Sequence, residues 1–188
     1  MKNSLRFLLG LSLLLMSASQ AHASGIYIDQ MQPVVDDTVG GLAIGGASQQ
    51  KLAQTVTVGL DGRLVGVFLP IGCDSGRLVI EIRELDAEGK PSDVVLRRRE
   101  FNAANISPIG PVFRFFPLRV PLLSAGDRFA VVLQNPTGDC GIFQSPVGDS
   151  YAGGEGFFEA LPNPPGWVPF SDTETRLDLP FITEVKLP

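Results

Sequence analysis

The chain of 188 residues is 44% hydrophobic and 19% charged, and its formal net charge is −5. This acidic balance argues against nucleic acids and anionic membrane surfaces as partners. The length is sufficient for one domain with its own core and is short of what two domains need.

The first residues have the order of a secretory signal peptide. Two cations precede the apolar run Phe7–Met16, and the small residues Ala21 and Ala23 flank the expected cleavage step. The run is shorter than the roughly 20 residues that span a bilayer, so we expect no transmembrane segment. We predict that residues 1–23 are removed and that the mature protein, with a net charge of −7, is secreted or periplasmic.

The mature chain is predicted to consist of an N-terminal strand and ordered loop over residues 24–50, followed by a β-sandwich domain over residues 51–188. Glycine and proline, at 21 and 15 residues, leave little room for long helices. The intervals between them show a period-two alternation of side chains, which is typical of half-buried strands. These intervals are Gln54–Val58, Leu64–Leu69, Leu78–Arg83, Phe116–Leu122 and Phe129–Leu133.

The last predicted strand places its apolar residues and one threonine on a single face. Those inward residues are Leu177, Leu179, Phe181, Thr183 and Val185, and the outward ones are Arg176, Asp178, Pro180 and Glu184. A proline on the outward face indicates a sheet edge or a bulge.

Short strands separated by turns predict an all-β fold, a single-domain antiparallel β-sandwich. A jelly-roll topology is favoured over an immunoglobulin-like one, because no tryptophan follows Cys73 at the spacing of the immunoglobulin core.

Two cysteines, an even number, are expected to pair in an exported chain. The pattern predicts a disulfide between Cys73 and Cys140, each near a strand end, where the bond can join the sandwich.

The one histidine, His22, lies in the predicted leader. A mature chain without histidine cannot form a Ser-His-Asp or Cys-His arrangement, and it lacks the usual nitrogen ligand of catalytic zinc. We therefore predict that the protein is not an enzyme. A glycosidase that uses two carboxylates is a weaker alternative, because that chemistry needs only two suitably spaced acids.

Several segments together resemble a β-sandwich module that is widespread in secreted bacterial proteins of unknown function and is similar to carbohydrate-binding jelly rolls. They include "DQMQ", "AIGGASQQKLAQTVTVGLDGRLVGVFLPI", "VIEIRELDAEGKPSDVVL", "LSAGDRFAVVL", "DSYAGGEGFF", "PPGWVPF" and "DLPFITEV". The resemblance covers nearly the whole mature chain. It implies a carbohydrate-binding-like fold and supplies no catalytic residues.

The segment from Asp149 to Trp167 is the candidate ligand-binding region. Flat aromatic rings bury the C–H surfaces of sugars, and neighbouring carboxylates bond sugar hydroxyls. The predicted contacts are Tyr151 and Trp167 as a stacking platform, with Asp149 and Glu155 beside them. The structural alternative gives Tyr151 a role in a turn and buries Trp167 in the core. Phe157 and Phe158 are adjacent and should point to opposite faces of a strand.

A structural calcium ion is an open alternative at this region. Asp29, Asp149, Glu155 and Glu159 offer the oxygen ligands that Ca²⁺ prefers, although their spacing matches no EF-hand loop. No other cofactor is expected.

The leading functional hypothesis is a non-catalytic exported protein that binds a polysaccharide or another cell-envelope component. The alternative is a structural or protein-interaction domain with no small ligand.

Overall fold

Fourteen strands and two short 3-10 turns make up the part of the chain that the computed structural model describes, residues 25–106, 111–163 and 165–188. The predicted signal peptide lies outside these residues. The turns are Ala103–Asn105 and Phe170–Asp172. In chain order the strands are β1 (Ile26–Gln32), β2 (Leu42–Gly45), β3 (Lys51–Thr57), β4 (Gly62–Leu69), β5 (Ile71–Cys73), β6 (Arg77–Leu85), β7 (Pro91–Asn102), β8 (Arg114–Pro117), β9 (Leu122–Leu123), β10 (Arg128–Gln134), β11 (Asp139–Ile142), β12 (Gly156–Glu159), β13 (Val168–Pro169) and β14 (Phe181–Lys186).

Two large antiparallel sheets form a sandwich. The six-stranded sheet has the order β13-β12-β3-β10-β6-β7, and the five-stranded sheet has the order β1-β14-β4-β8 with β9 also paired to β4. The chain crosses between them from β1 to β3, then to β4, then to β6, which is the jelly-roll style of connection. A third sheet has the order β2-β11-β5. The predicted all-β sandwich is confirmed.

The main core lies between the two large sheets. Strand β10 turns Phe129, Val131 and Leu133 inward, where they are almost completely buried. Strand β14 contributes Phe181 and Val185 to the same apolar cluster. Because successive side chains of a strand point to opposite faces, each sheet buries one full face in this core. The predicted inward faces of these two strands are confirmed.

One predicted strand, Phe116–Leu122, is divided in the structure into β8 and β9. Pro121 has no N–H group to donate to a neighbouring strand. Between the two strands, the N–H groups of Leu118 and Val120 still donate to carbonyls of β4. The apolar alternation is therefore kept while the regular ladder is interrupted.

The final strand begins later than its pattern predicts, at Phe181. The expectation that Asp178 and Pro180 face solvent is wrong, because both residues are buried. The Asp178 carboxylate accepts hydrogen bonds from Gln54, Ser150 and Tyr151. Because of these contacts, the Asp178 side chain points into the interior, and the segment before β14 does not continue the strand.

The predicted disulfide between Cys73 and Cys140 is confirmed. The cysteines lie directly opposite each other on β5 and β11, which are neighbouring strands of the three-stranded sheet. The bond therefore joins adjacent strands of the small sheet. The predicted position of the bond, between the layers of the sandwich, is wrong, because β5 and β11 pair with each other in the third sheet.

Candidate functional site

The outer face of the six-stranded sheet carries a second apolar cluster. Ala53, Ala130, Val132 and Phe157 are buried there, and Trp167 packs against them. Ala53 lies opposite both Val132 and Phe157, so a row of apolar side chains crosses β12, β3 and β10. These residues alternate with the inward ones, so the cluster faces away from the main core.

An ionic cluster centred on one buried glutamate lies beside the apolar one on the same face. Glu81 is opposite Val132 and only 2% exposed. Its two carboxylate oxygens each lie 2.6 Å from a guanidinium nitrogen, one of Arg83 and one of Arg98. Arg83 also donates to the Ser92 carbonyl at 3.2 Å. The cluster therefore ties β6 to the beginning of β7.

A groove separates the tip of the β6–β7 hairpin from the segment between β12 and β13. Its cavity volume is about 550 Å³. The hairpin wall is formed by Asp86, Lys90, Pro91, Ser92 and Asp93, and the opposite wall by Glu159, Pro165, Gly166 and Trp167.

Local hydrogen bonds fix both walls of the groove. The Asp86 carboxylate accepts from the backbone N–H groups of Glu88 at 3.1 Å and Lys90 at 2.8 Å. Gly89 takes the left-handed backbone conformation that this turn requires, with a φ of 80°. On the other wall, the Lys51 ammonium group donates to Glu159 at 2.7 Å.

The groove combines an aromatic ring with hydrogen-bonding groups. Trp167 is half-buried, with Phe157 and its neighbours beneath it. The walls add three carboxylates, an ammonium group and a serine hydroxyl. A ring face with polar groups around it can hold a molecule that has C–H surfaces and hydroxyls, such as a sugar.

Of the four predicted ligand contacts, Trp167 lines the groove and the other three do not. Asp149 is exposed outside it. Glu155 accepts from the backbone N–H and the hydroxyl of Ser171, beside the second 3-10 turn.

Tyr151 is part of the main core, so it does not form a stacking platform with Trp167. Its ring meets Phe181 edge-to-face, with centroids 5.0 Å apart. Its hydroxyl donates to the Gln30 side chain at 3.1 Å and accepts from the Thr57 N–H at 3.3 Å. Burial raises the pKa of Tyr151 above its usual value. The structural role of this residue is the one that the geometry favours.

Phe157 and Phe158 point to opposite faces of β12, as predicted. Phe157 lies opposite Ala53 in the outer cluster, and Phe158 packs on the main core. Phe157 therefore forms part of the floor that supports Trp167.

The four carboxylates considered for calcium are not brought together. Asp29 accepts backbone hydrogen bonds near β4, Glu155 is bonded to Ser171, and Glu159 is paired with Lys51. Within residues 25–106, 111–163 and 165–188, no group of three or more His, Cys, Asp or Glu side chains is placed to hold a metal ion.

Asp29→Asn should raise the stability of the protein near pH 7 and have no such effect near pH 3. The Asp29 Oδ1 atom accepts from the N–H groups of Gly59 and Leu60, while Oδ2 is buried with no partner in the described part of the chain. Burial raises the pKa of Asp29 above its ordinary value of 3.8, despite the opposing effect of those bonds. Ionisation therefore costs stability at neutral pH. Below the ordinary pKa the group is protonated in both the folded and unfolded states, and the cost disappears.

Urea unfolding of wild type and Asp29→Asn at the two pH values measures this difference. The asparagine keeps the oxygen that accepts the two backbone bonds and places an uncharged NH2 group at the unpartnered Oδ2 position. The measurement near pH 3, where Asp29 is protonated, controls for the burial of that group. A variant that is less stable than wild type near pH 7 would contradict the assignment.

The hairpin wall of the groove is the part that sequence reasoning missed. The turn at Glu88–Pro91 is evident from the sequence, but nothing local indicates that Ser92 and Asp93 face Trp167. One feature of the sequence does indicate that the outer face of the sheet is covered. The run Phe129–Leu133 is entirely apolar, which is consistent with a strand buried on both faces.

Comparison with known proteins identifies no relative: no protein-family model and no curated protein matches the chain. The similarity to carbohydrate-binding jelly rolls is therefore supported at the level of the all-β sandwich alone. None of the helical turns in the described residues is long and apolar enough to cross a membrane.

Proposed function

We propose that the protein is a non-catalytic binding protein that holds a carbohydrate, such as a glycan of the cell envelope, in the groove beside Trp167. The observation that carries this proposal is the half-buried indole ring, which packs on the outer apolar cluster and lines a cavity of about 550 Å³. This volume lies in the range of about 300–1,000 Å³ that is usual for small-molecule sites.

The division of the groove into apolar and polar parts matches the two kinds of surface on a sugar. The indole ring covers C–H groups, and the carboxylates of Asp93 and Glu159 accept hydrogen bonds from hydroxyls. Lys90 and Ser92 on the hairpin wall are donors to ring or hydroxyl oxygens.

The rigidity of the walls favours binding. The Asp86 turn and the ion pair of Lys51 with Glu159 hold the groove without a ligand. Trp167 is held against Phe157 and its neighbours. Since less conformational freedom is lost on binding, a larger share of the contact energy appears as affinity.

Export is part of the same proposal. The Cys73–Cys140 bond supports it, because disulfides persist in oxidising compartments such as the periplasm and the extracellular medium.

Trp167 is the one tryptophan of the chain, so its fluorescence reports directly on the groove. Titration with soluble oligomers of glucose, xylose, mannose and N-acetylglucosamine should give a saturable change in emission with at least one of them. Chromatography of the same mixtures tests the alternatives. Shortened oligomers would indicate a hydrolase, and unchanged emission with every oligomer would favour a structural or protein-interaction domain.

Trp167→Ala should abolish binding of the oligomer identified in this way, as measured by calorimetry, while the protein stays folded. The side chain packs on the small outer cluster and not in the main core. We therefore expect a loss of about 1–2 kcal/mol in the free energy of unfolding, below the roughly 3–5 kcal/mol of a fully buried large aromatic.

Trp167→Phe should retain weakened binding, because a smaller aromatic face remains. The matched control is Phe115→Ala, which removes an aromatic side chain that is 44% exposed on the five-stranded sheet. This control should bind as wild type does. Full binding by Trp167→Ala, or loss of binding through unfolding, would end the proposal.

A further inference from the structure

A second cavity, of about 710 Å³, lies on the other side of the sandwich from the groove. It opens on the outer face of the five-stranded sheet, where the ends of β1, β14, β4 and β9 meet. The segment Arg119–Leu122 borders it. The cavity is therefore independent of the groove beside Trp167.

Three cations line this cavity: Arg63 on β4, Arg119 before β9, and Lys186 at the end of β14. Within the described part of the chain, no acidic residue is part of its lining. Among the described residues, none of these three side chains takes part in an ion pair, although the chain as a whole is acidic. Glu184, two residues before Lys186 on β14, does not line the cavity either.

Two of these cations are directly opposite each other on neighbouring strands, because Lys186 pairs with Arg63. Directly opposite residues of antiparallel strands have Cβ atoms about 4.5–5.5 Å apart, and like charges at such positions destabilise a sheet. A bound anion would remove this repulsion. The arrangement thus costs stability in the free protein and favours a negatively charged ligand.

Apolar side chains flank the two cations in the same cross-strand row. Ile26 lies opposite Lys186, and Leu122 lies opposite Arg63. Both are exposed to solvent, at 58% and 60%. The ligand that fits this row has an apolar part beside its negative charge.

We propose that this cavity binds an organic phosphate monoester with an apolar body. The planar guanidinium groups of Arg63 and Arg119 suit the paired oxygens of a phosphate, and Lys186 adds a third positive charge. The apolar body covers Ile26 and Leu122. The ligand is either a soluble ester or the headgroup and upper chain of a phosphorylated lipid.

Octyl phosphate is the probe, and calorimetry at low salt is the measurement. We expect saturable binding of octyl phosphate, binding of inorganic phosphate at least tenfold weaker, and no binding of octanol. Arg63→Gln and Lys186→Gln should each weaken octyl phosphate binding at least tenfold. Arg97→Gln removes an exposed arginine outside this cavity and should change binding less than twofold.

Melting temperatures show whether a variant that binds octyl phosphate weakly is still folded. Lys186→Gln should melt at the wild-type temperature or above it, because the substitution removes the repulsion with Arg63. Added octyl phosphate should raise the melting temperature of wild type and not that of this variant.

Sedimentation with vesicles distinguishes the two sources of the ligand. Vesicles of phosphatidylcholine with one fifth phosphatidic acid should retain wild type and not Arg63→Gln if the source is a lipid, and should retain neither if it is a soluble ester. The proposal is overturned if octyl phosphate fails to saturate, if inorganic phosphate binds equally well, or if Arg63→Gln and Lys186→Gln bind as wild type does.

Discussion

Removal of the disulfide by the paired change Cys73→Ala and Cys140→Ala should lower the free energy of unfolding by about 4 kcal/mol. The bond closes a loop of 67 residues, and a cross-link of that span restricts the unfolded chain strongly. Urea unfolding of oxidised wild type and of the double variant measures the loss. Alanine is preferred to serine because both cysteines are buried, and a hydroxyl group would add an unrelated cost.

Wild type in a reducing agent is the matched control, since it keeps both sulfur atoms and lacks only the bond. It should unfold at nearly the same urea concentration as the double variant. Equal midpoints for oxidised wild type and the double variant would show that the bond contributes nothing.

Asn135 extends the effect of the disulfide to neighbouring turns. Its side-chain amide donates to the Ser75 carbonyl at 2.8 Å and contacts the Cys140 sulfur at 3.2 Å, and its oxygen accepts from the Arg77 N–H. The cross-link and this side chain together hold β5, β6 and β11 near one another. The double variant should therefore lose amide exchange protection first at Arg77.

The strands could be predicted from the sequence because their information is local. The period-two spacing that starts at Phe129 in β10 and at Phe181 in β14 predicts both the strand and its inward face. The local pattern fails at Asp178. Its position in the alternation predicts exposure, but its partners Gln54 and Ser150 are distant in sequence and draw it into the interior.

The candidate site could be predicted only in part, for the same reason. The composition of the loop predicts Trp167 as a ligand contact, and in the structure this residue lines the groove. Tyr151 has an equally suitable side chain for stacking, yet hydrogen bonds to Gln30 and Thr57 hold it in the core. The choice between the two rings depends on strands that the loop sequence does not contain. The position of the hairpin wall, including Asp93, likewise depends on how β6 and β7 pair, which the loop sequence does not determine.

The second large effect is expected at Asp178, where Asp178→Ala should lower the free energy of unfolding by about 2–4 kcal/mol through the loss of its hydrogen bonds. The carboxylate is 1% exposed and accepts from the Gln54 side chain at 3.1 Å, the Ser150 N–H at 2.8 Å and the Tyr151 N–H at 2.9 Å. The buried Tyr151 N–H would be left without this acceptor, at a cost of about 1–3 kcal/mol before relaxation. Gln54 would lose one of its two amide bonds and keep the one to the Thr55 carbonyl, and the Ser150 N–H lies at an exposed residue.

Two further variants test whether the loss of stability comes from the hydrogen bonds of Asp178 or from the removal of any carboxylate. Asp172→Ala removes an exposed carboxylate and should change the free energy of unfolding by less than about 0.5 kcal/mol. Asp178→Asn should lose less than Asp178→Ala. It keeps one acceptor oxygen, and it removes a charge whose burial raises the pKa of Asp178 and whose ionisation is costly at neutral pH.

The hydrogen bonds of Asp178 also position the segment that leads to the groove. This segment begins at Ser150 and Tyr151 and continues into β12, where Phe157 packs against Trp167. In Asp178→Ala, amide exchange should therefore accelerate at Ser150 and Tyr151, and Trp167 emission should shift to longer wavelength under conditions where the protein is still folded. Unchanged exchange at these two amides, together with wild-type stability, would show that the Asp178 carboxylate is not what holds the segment in place.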